Sequence, residues 1–395
     1  MINEKNVKLG EVRSGIRELF EYGKLRKSQI GEEDVYDFSL CHPSVPPPER
    51  VTLTLQKLLA ERDPVELHGY TSAQGDLYTR QAICGYVNKT FGAGVSPDLV
   101  YMTCGAAASL TITLNAICNS GDEVLTFAPF FPEYTVFADH AGAKLVPVAT
   151  KEGSFRIDFD NLERAIKPET KAVIINSPNN PSGVVYSEEE IKKLCATLAE
   201  CGKKYGTEIY LISDEPYREL VYDDIKVPYI MNYYDKSIVC YSYSKSLSLP
   251  GDRIGYIAVN PAMTGCKKVY SAICGAGRAL GYVCAPSLLQ KLVAEAQGVT
   301  SDISVYKSNR DLLCSALTEF GYDVVKPEGA FYLFVKAMEA DANAFAERAK
   351  KYELLIVPGD SFGVKGYVRI SYCVSPEMIK RSLPSFKALA ESYKK

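Results

Sequence analysis

The sequence has few of the residues that metal, disulfide and hydrolase sites usually need. It contains only three histidines, His42, His68 and His140, and none of its twelve cysteines lies in a C-x-x-C pair. A zinc site or a disulfide framework is therefore not expected, and the cysteines are interpreted as reduced thiols. The shortage of histidine also leaves serine or cysteine hydrolase chemistry without its usual general base.

Long apolar segments and an excess of one charge are also missing. No apolar run approaches the roughly 20 residues that a membrane-spanning helix needs, and the start, MINEKNVKLG, lacks the layout of a signal peptide. The net charge is only −3, so no basic field favours nucleic acid or an anionic membrane as a partner. These absences predict a soluble cytoplasmic protein that binds neither nucleic acid, membrane nor metal.

Short β-rich runs alternate with helical stretches through the middle of the chain. Ser187 and Glu190 form an S-x-x-E capping box that predicts a helix start. Continuous apolar strands separated by helices indicate an α/β fold with a mostly parallel sheet covered on both faces. The predicted strands are residues 99–105, 122–129, 143–150, 171–178, 207–215, 237–244 and 253–259.

The last hundred residues have a different pattern. They combine the helical stretch DANAFAERAKKYE with the strand candidates LLIVPG and GYVRISY, which is typical of a smaller α+β unit. The proline-bounded segment YDFSLCHPSVPPPE reads as an extended entry into the large unit. We predict a large domain of residues 46–286 and a small domain of residues 1–45 and 287–395.

Complementary residues follow the predicted strands, and ligands of open α/β sheets bind beyond the carboxyl ends of the strands. The helix start at 105–107 offers backbone N–H groups that suit a phosphate, and Ser242 and Arg253 could donate to the same anion. Asp214 offers a carboxylate and Lys245 an amine. An amine near a phosphate cup and a buried acid indicates a lysine Schiff base with pyridoxal 5′-phosphate (PLP), whose ring nitrogen needs an acidic partner.

Eight motifs of the sequence resemble those of the class I/II aminotransferases of PLP fold type I, in the same order and with matching spacing. Within this family the sequence resembles aspartate/aromatic aminotransferase-like members. The resemblance covers nearly the whole chain and implies a seven-stranded-type sheet flanked by helices plus a smaller α+β domain. The motifs are HGYTSAQGDLYTRQAI (68–83), TCGAAASL (103–110), PFFPEY (129–134), NSPNNPSG (176–183), SDEPYREL (213–220), SYSKSLSLPGDRIGY (242–256), VPGDSFG (357–363) and VRIS (368–371).

The resemblance implies a catalytic role for three residues. Lys245 would form the Schiff base and move the Cα proton, and Asp214 would pair with the pyridine nitrogen. Tyr217, together with Asn180, would hydrogen-bond the 3-oxygen of the cofactor ring. Phe131 occupies the ring-stacking position.

The remaining implied contacts concern the phosphate, the substrate and a second subunit. Arg369 would bind the substrate α-carboxylate as a bidentate fork, with Asn180 and Cys41 nearby. Tyr70 would reach the phosphate of the neighbouring subunit, which implies a homodimer. The residues that would hold the phosphate within the subunit are Gly105, Ala106, Ala107, Ser242 and Arg253.

The sequence departs from the family pattern at two positions. Cys41 stands where many relatives have glycine, so that Cys41 and His42 either narrow the substrate pocket or are simply tolerated there. Cys284 stands where asparagine is common, which we expect to be minor. Arg278 lies where some members bind a substrate side-chain carboxylate, but its spacing does not align cleanly.

The resulting prediction is an aminotransferase that moves the amino group of an L-amino acid to a 2-oxo acid through pyridoxamine phosphate. One alternative is β-elimination by a C–S lyase on the same fold, which shares the early steps. A second alternative is a PLP-fold regulator without turnover. Each site residue could also have a purely structural role; Asp214, for example, could simply form a turn at the end of a strand. The functional interpretation is favoured because all of these residues occur in the order found in the family.

Overall fold

The computed structural model of the protein describes residues 2–11, 15–40 and 42–394. The strands in these ranges are β1 Tyr36–Asp37, β2 Val100–Thr103, β3 Glu123–Ala128, β4 Lys144–Ala149, β5 Thr170–Asn176, β6 Tyr210–Asp214, β7 Ser237–Ser242, β8 Gly255–Val259, β9 Tyr332–Lys336, β10 Leu354–Leu355, β11 Val357–Pro358 and β12 Tyr367–Ser371. The α-helices are α1 Glu4–Glu11, α2 Gly15–Ile30, α3 Glu49–Glu61, α4 Pro64–His68, α5 Leu77–Phe91, α6 Ala106–Ile117, α7 Glu133–His140, α8 Phe159–Ala165, α9 Glu188–Tyr205, α10 Tyr243–Ser246, α11 Cys266–Ala279, α12 Ser287–Glu295, α13 Ser304–Phe320, α14 Ala342–Lys350 and α15 Pro376–Glu391.

The central sheet of the described chain has seven strands in the order β2-β8-β7-β6-β5-β3-β4. Strand β8 runs antiparallel to both of its neighbours, and the other pairs in the row are parallel. Each predicted strand of the middle region overlaps one strand of this sheet. The prediction 237–244 runs two residues too far, because Tyr243 and Ser244 belong to α10, which the Ser242 side chain caps. The α/β class and the mostly parallel sheet are therefore confirmed.

Alternating side chains of the central strands pack on opposite faces of the sheet. Val173 and Ile175 of β5 join the apolar cluster that contains residues of α8 and α9, whereas Ala172 and Ile174 join the cluster that contains residues of α6 and α7. This alternation is required when both faces of a strand are covered. Helix α9 begins at the predicted capping box, since Ser187 and Glu190 make both of its hydrogen bonds.

A second, antiparallel sheet has the order β11-β12-β9. It shares an apolar cluster with helices α13, α14 and α15. Strand β1 pairs in parallel with β10 and so attaches the N-terminal segment to the C-terminal part. The domain division stays a prediction, and the packing of α12 against α3 and α5 favours a boundary after α12 rather than at residue 286.

None of the helices in the described ranges combines the length and apolar composition that a bilayer crossing requires. The cytoplasmic location stays a prediction.

Candidate active site

The carboxyl ends of three neighbouring parallel strands meet at one edge of the central sheet. Asn176, Asp214 and Ser242 are the last residues of β5, β6 and β7, and Asn176 lies opposite Asp214 in the sheet register. A cavity of about 200 Å³ opens at this edge. The predicted residues that line it are Ala106, Ala107, Phe131, Asn180, Asp214, Tyr217, Ser242, Lys245 and Arg253.

Asp214 is a buried carboxylate with only one satisfied oxygen. Its side chain is 4% exposed, and its Oδ2 accepts a 2.5 Å hydrogen bond from the hydroxyl of Tyr134, with the amide of Asn176 3.5 Å away. Its Oδ1 is buried without a hydrogen-bond partner among the described residues. Burial raises the pKa of Asp214 to about 7, while the hydrogen bond from Tyr134 lowers it and the charge of Glu215 raises it.

A cluster of donors lies where α6 begins. Gly105 precedes the helix with φ +91°, and a Cβ at this position would lie 2.9 Å from Nη2 of Arg253, so that only glycine leaves room. The first backbone N–H groups of a helix have no partner within it and attract anions. Arg253 donates from Nη1 to the hydroxyl of Ser244 at 3.4 Å, and Ser244 hydrogen-bonds Ser242 at 2.8 Å.

Lys245 enters the same cavity from the short helix α10 directly after β7. The Oγ of Ser242 caps this helix by accepting from the backbone N–H of Ser244. The Nζ of Lys245 lies 5.5 Å from the centre of the Phe331 ring. The strand end and its cap therefore place the amine on the wall of the cavity that Asp214 and Arg253 also line.

Arg369 lies on β12 of the second sheet and is fully buried. It is not among the residues that line the cavity but contacts the wall residue Asn180. It donates from Nη1 to Oδ1 of Asn180 at 3.1 Å and from Nη2 to the carbonyl of Ser39 at 2.6 Å. The rings of Tyr332 and Phe362 each lie 4.9 Å from its guanidinium carbon. Its Nε is buried without a hydrogen-bond partner among the described residues. This N–H and the second N–H of each terminal nitrogen therefore remain for a ligand.

Several sequence-predicted residues are not on the cavity wall. Tyr70 is 97% exposed, and Arg278 lies exposed at the last turn of α11. The thiol of Cys284 lies 3.5 Å from the carbonyl of Thr71. His42 is exposed, and Cys41 lies outside the described residues. The structure therefore brings together the proposed cofactor contacts within one subunit and leaves the intersubunit one on the surface.

The sequence did not predict several residues that contact the predicted ones. Among them are Tyr134 and Asn176 at Asp214, Tyr332 at Tyr217 and Arg369, and Ser39 at Arg369. Asn176 had a signal, since it ends a predicted strand beside Asp214. Tyr134 and Tyr332 had none, because tyrosine occurs 27 times in the chain.

The residues present fit PLP. The unpartnered oxygen of buried Asp214 suits a protonated ring nitrogen, and the glycine-opened helix start with Arg253 suits a phosphate. Lys245 supplies an amine on the same cavity wall. The cavity therefore offers a partner to each polar end of the cofactor.

Comparison with known proteins agrees with this interpretation. The model of the family described as aminotransferase class I and II matches residues 33–386. A solved aminotransferase from Eubacterium rectale is 56% identical, with a TM-score of 0.98 and 100% of both chains covered.

Two curated relatives are more distant. The aspartate aminotransferase of Thermotoga maritima is 30% identical over 89% of this chain and 90% of its own. The aromatic-amino-acid aminotransferase 2 of Thermococcus litoralis is 28% identical over 96% of both. The predicted family, enzyme class and cofactor are thus confirmed: the chain belongs to the class I and II aminotransferases and is a PLP-dependent transaminase.

Proposed function

We propose that the protein transfers the amino group of an L-amino acid to a 2-oxo acid at the cavity lined by Lys245 and Asp214. Lys245 would hold PLP through its amine, and the bound cofactor would supply a carbonyl carbon that accepts the amino group from one substrate and gives it to the next. The observation that carries the proposal is the unpartnered, buried oxygen of Asp214 in the same cavity as Lys245.

Two side chains perform the proton chemistry in this proposal. Lys245 would remove the proton from the substrate Cα, as general base, and deliver a proton to the carbonyl-derived carbon of the cofactor, as general acid. Asp214 keeps the ring nitrogen protonated, because a buried carboxylate without a counter-charge is costly and a cation beside it relieves that cost. Its neighbour Tyr134 fixes the other carboxylate oxygen.

The other predicted residues hold the cofactor and substrate. Tyr217 and Asn180 contact the ring oxygen, Phe131 covers the ring, and the helix start at Gly105–Ala107 binds the phosphate with Ser242 and Arg253. Arg369 binds the substrate carboxylate, and its position is fixed by the two flanking rings and by the Ser39 carbonyl. We propose that Asn180 and Cys41 also lie beside the substrate carboxylate.

Single-turnover spectra test the reaction. The PLP-loaded enzyme is mixed with one amino acid at a time, without an acceptor, and loss of the visible absorbance band is followed. Aspartate and aromatic amino acids are the first donors to compare, since relatives are named for both. We expect the band to disappear with a donor and to return when a 2-oxo acid is added. A protein that stays colourless with PLP would contradict the proposal.

The elimination alternative is tested in the same assay. The relatives reported above are named as aminotransferases, which supports transfer and gives no support to a C–S lyase. We expect no steady release of pyruvate and ammonia from a cysteine conjugate when no 2-oxo acid is present. Steady release at the transamination rate would overturn the assignment.

We extend the proposal to a homodimer in which Tyr70 completes the neighbouring site. Tyr70 is 97% exposed, and the segment that follows it is joined to residues 284–290 by hydrogen bonds from Cys284 and Gln290 to Thr71. Large apolar side chains are exposed on the flanking segments, namely Val65, Leu77, Tyr78, Tyr282 and Val283. Such a patch favours an interface.

Mixed dimers test this arrangement. Tyr70→Phe and Lys245→Ala chains are denatured together, refolded and loaded with PLP. If Tyr70 serves the partner's site, the hybrid dimer has one site lacking both groups and one intact site, so the hybrid should have about half of the wild-type activity. Random pairing makes about half of the dimers hybrids, so the refolded mixture should recover about a quarter. A monomer by light scattering, or no recovery in the hybrid, would contradict the dimer proposal.

A further inference from the structure

Tyr332 contacts two of the proposed site residues although it is not among the residues that line the cavity. It is fully buried at the start of β9, its hydroxyl lies 2.6 Å from that of Tyr217, and its ring lies 4.9 Å from the guanidinium carbon of Arg369. We propose that Tyr332 is a positioning residue that orients Tyr217 through its hydroxyl and Arg369 through its ring. This inference rests on the proposed function, because it takes Tyr217 to the cofactor and Arg369 to the substrate.

Either hydroxyl can be the donor in the contact between Tyr217 and Tyr332, and we take Tyr332 to be the donor. A hydroxyl has a single proton, so only one of the two tyrosines donates in their hydrogen bond. When Tyr332 is that donor, the proton of Tyr217 is not used in this contact and is directed to the ring oxygen of the cofactor. Hydrogen bonds in such a chain also polarise one another, which strengthens the donor that faces the ligand.

The ring contact fixes the plane of Arg369. Tyr332 and Phe362 each place a ring at 4.9 Å from the guanidinium carbon. Cation–π contacts of this kind hold the planar group by its faces and leave its N–H edges free to donate. A bidentate bond to a carboxylate requires the plane to be fixed in this way.

The backbone around Tyr332 is itself held by the site. Its strand pairs with β12, so that Tyr332 lies opposite Ser371, two residues from Arg369. Gly183, which has φ +71°, packs so closely that a Cβ there would collide with Pro327 and lie 3.1 Å from the carbonyl of Tyr332. The segment that carries Asn180 therefore touches the same residue.

Tyr332→Phe in the PLP-loaded enzyme removes the hydroxyl and keeps the ring. The charged groups nearby, Asp214, Lys245 and Arg369, are unchanged. Because negative charge on the ring oxygen loses stabilisation, we expect the pH midpoint of the visible absorbance change to rise by about 0.5–1 unit. We expect kcat to fall roughly threefold to tenfold with KM unchanged. A variant with the wild-type midpoint and kcat would overturn the hydroxyl role.

A double-mutant cycle shows whether the effect passes through Tyr217. Tyr217→Phe alone should raise the midpoint more than Tyr332→Phe, and the double variant should match Tyr217→Phe alone. Additive shifts would contradict the proposal. Tyr372→Phe is the matched control, because Tyr372 is fully buried and its hydroxyl lies 3.3 Å from the carbonyl of Ala330, not at Tyr217. Its midpoint should equal that of the wild type.

Replacing the ring tests the second contact. Tyr332→Leu should raise KM for the amino acid about threefold to tenfold above the value of Tyr332→Phe. Tyr332→Met, whose unbranched side chain adapts to irregular space, gives the same measurement if the leucine variant does not fold. Equal KM values for a folded ringless variant and Tyr332→Phe would overturn the ring role.

The wild-type holoenzyme separates this inference from the proposed function. If it has no visible band or transfers no amino group, the proposed function fails. If the wild-type holoenzyme has the visible band and transfers the amino group, and Tyr332→Phe has the same midpoint and kcat, only the proposed role of Tyr332 fails.

Discussion

The two buried charges at the site belong to different sheets and are stabilised in different ways. Asp214 ends a strand of the central sheet, has hydrogen-bond donors at one oxygen only, and has its pKa raised to about 7 by burial. Arg369 lies on the small antiparallel sheet between two aromatic rings and donates to two oxygens. Arginine side chains keep their proton in proteins, whereas a carboxylate with a raised pKa depends on its partner for charge.

This difference predicts two classes of variant. Changes on the Asp214 side, which includes Lys245 and Tyr134, should alter kcat, the cofactor spectrum and their pH dependence. Changes on the Arg369 side should alter KM for the substrate and leave the cofactor spectrum unchanged. Tyr332 and Asn180 contact both sides and belong to neither class; any other variant that crosses the classes would break the comparison.

Lys245→Ala should have the largest effect. Loss of both the covalent link and the proton carrier is expected to lower kcat by at least roughly 10⁴-fold, while the melting temperature changes little. Lys245→Arg should be nearly as inactive, because arginine keeps its proton and cannot act as base. Lys236→Ala, just before the start of the same strand and in a surface ion pair with Glu208, is the control and should retain full activity. Wild-type turnover by Lys245→Ala would contradict the assigned role.

Asp214→Asn should lower kcat by about 10³-fold, because a neutral amide does not keep the ring nitrogen protonated. Glu219→Gln is the matched control, since Glu219 is also a carboxylate whose pKa burial raises and whose partner is a tyrosine hydroxyl, that of Tyr241. The control should keep its activity. A kcat within twofold of wild type for Asp214→Asn would contradict the electrostatic role.

The stability of the apoprotein gives an independent measurement on Asp214. Its pKa in the folded state, about 7, lies above the ordinary value of 3.8, so its stabilising contribution is present below about pH 4 and is lost as the pH rises through 7. Asparagine does not ionise, so the free energy of unfolding of Asp214→Asn should not fall in this way. Its excess over the wild-type value should therefore grow between pH 4 and 7, up to about 4 kcal/mol. Chemical denaturation across this pH range measures it. Saturating PLP should shrink the difference, because the ring nitrogen then supplies the missing counter-charge.

The sequence predicted where Asp214 and Lys245 lie, but not the residues that contact Asp214, Tyr217 and Arg369 from distant parts of the chain. Strand ends follow from local apolar patterns, and the sheet brings them to one edge, so the positions of Asp214 and Lys245 at that edge follow from the sequence pattern alone. The hydroxyl of Tyr134 acts on Asp214 across 80 positions, that of Tyr332 on Tyr217 across 115, and the Ser39 carbonyl on Arg369 across 330. Such pairs depend on how the units pack, which no local pattern specifies.

Arg369→Lys tests the other side of the comparison. Lysine keeps the charge but loses the planar fork and the ring stacking, so kcat/KM for the amino acid should fall roughly 10²-fold, mostly through KM. The pH midpoint of the cofactor absorbance should stay at the wild-type value. Arg310→Lys is the matched control, because Arg310 is equally buried and lies 4.5 Å from the ring of Tyr222. It donates to Asp223 and to the carbonyl of Pro327, which do not line the cavity. An unchanged KM in Arg369→Lys would contradict the carboxylate role.

Tyr134→Phe should have the smallest of these effects and distinguishes the two sides most sharply. It removes the hydrogen bond that lowers the pKa of Asp214, so that pKa should rise further and the ring nitrogen should hold its proton less firmly. We expect kcat to fall about tenfold with KM unchanged, since a hydrogen bond to a charged group is worth roughly 1.5–3 kcal/mol and only part of it acts in the transition state. Tyr322→Phe loses a comparable buried hydroxyl contact, to the carbonyl of Phe386 in the small unit, and should cost stability without lowering kcat. If Tyr134→Phe instead raised KM and kept kcat, Asp214 would not be the pH-sensitive partner, and the contrast with Arg369 would fail.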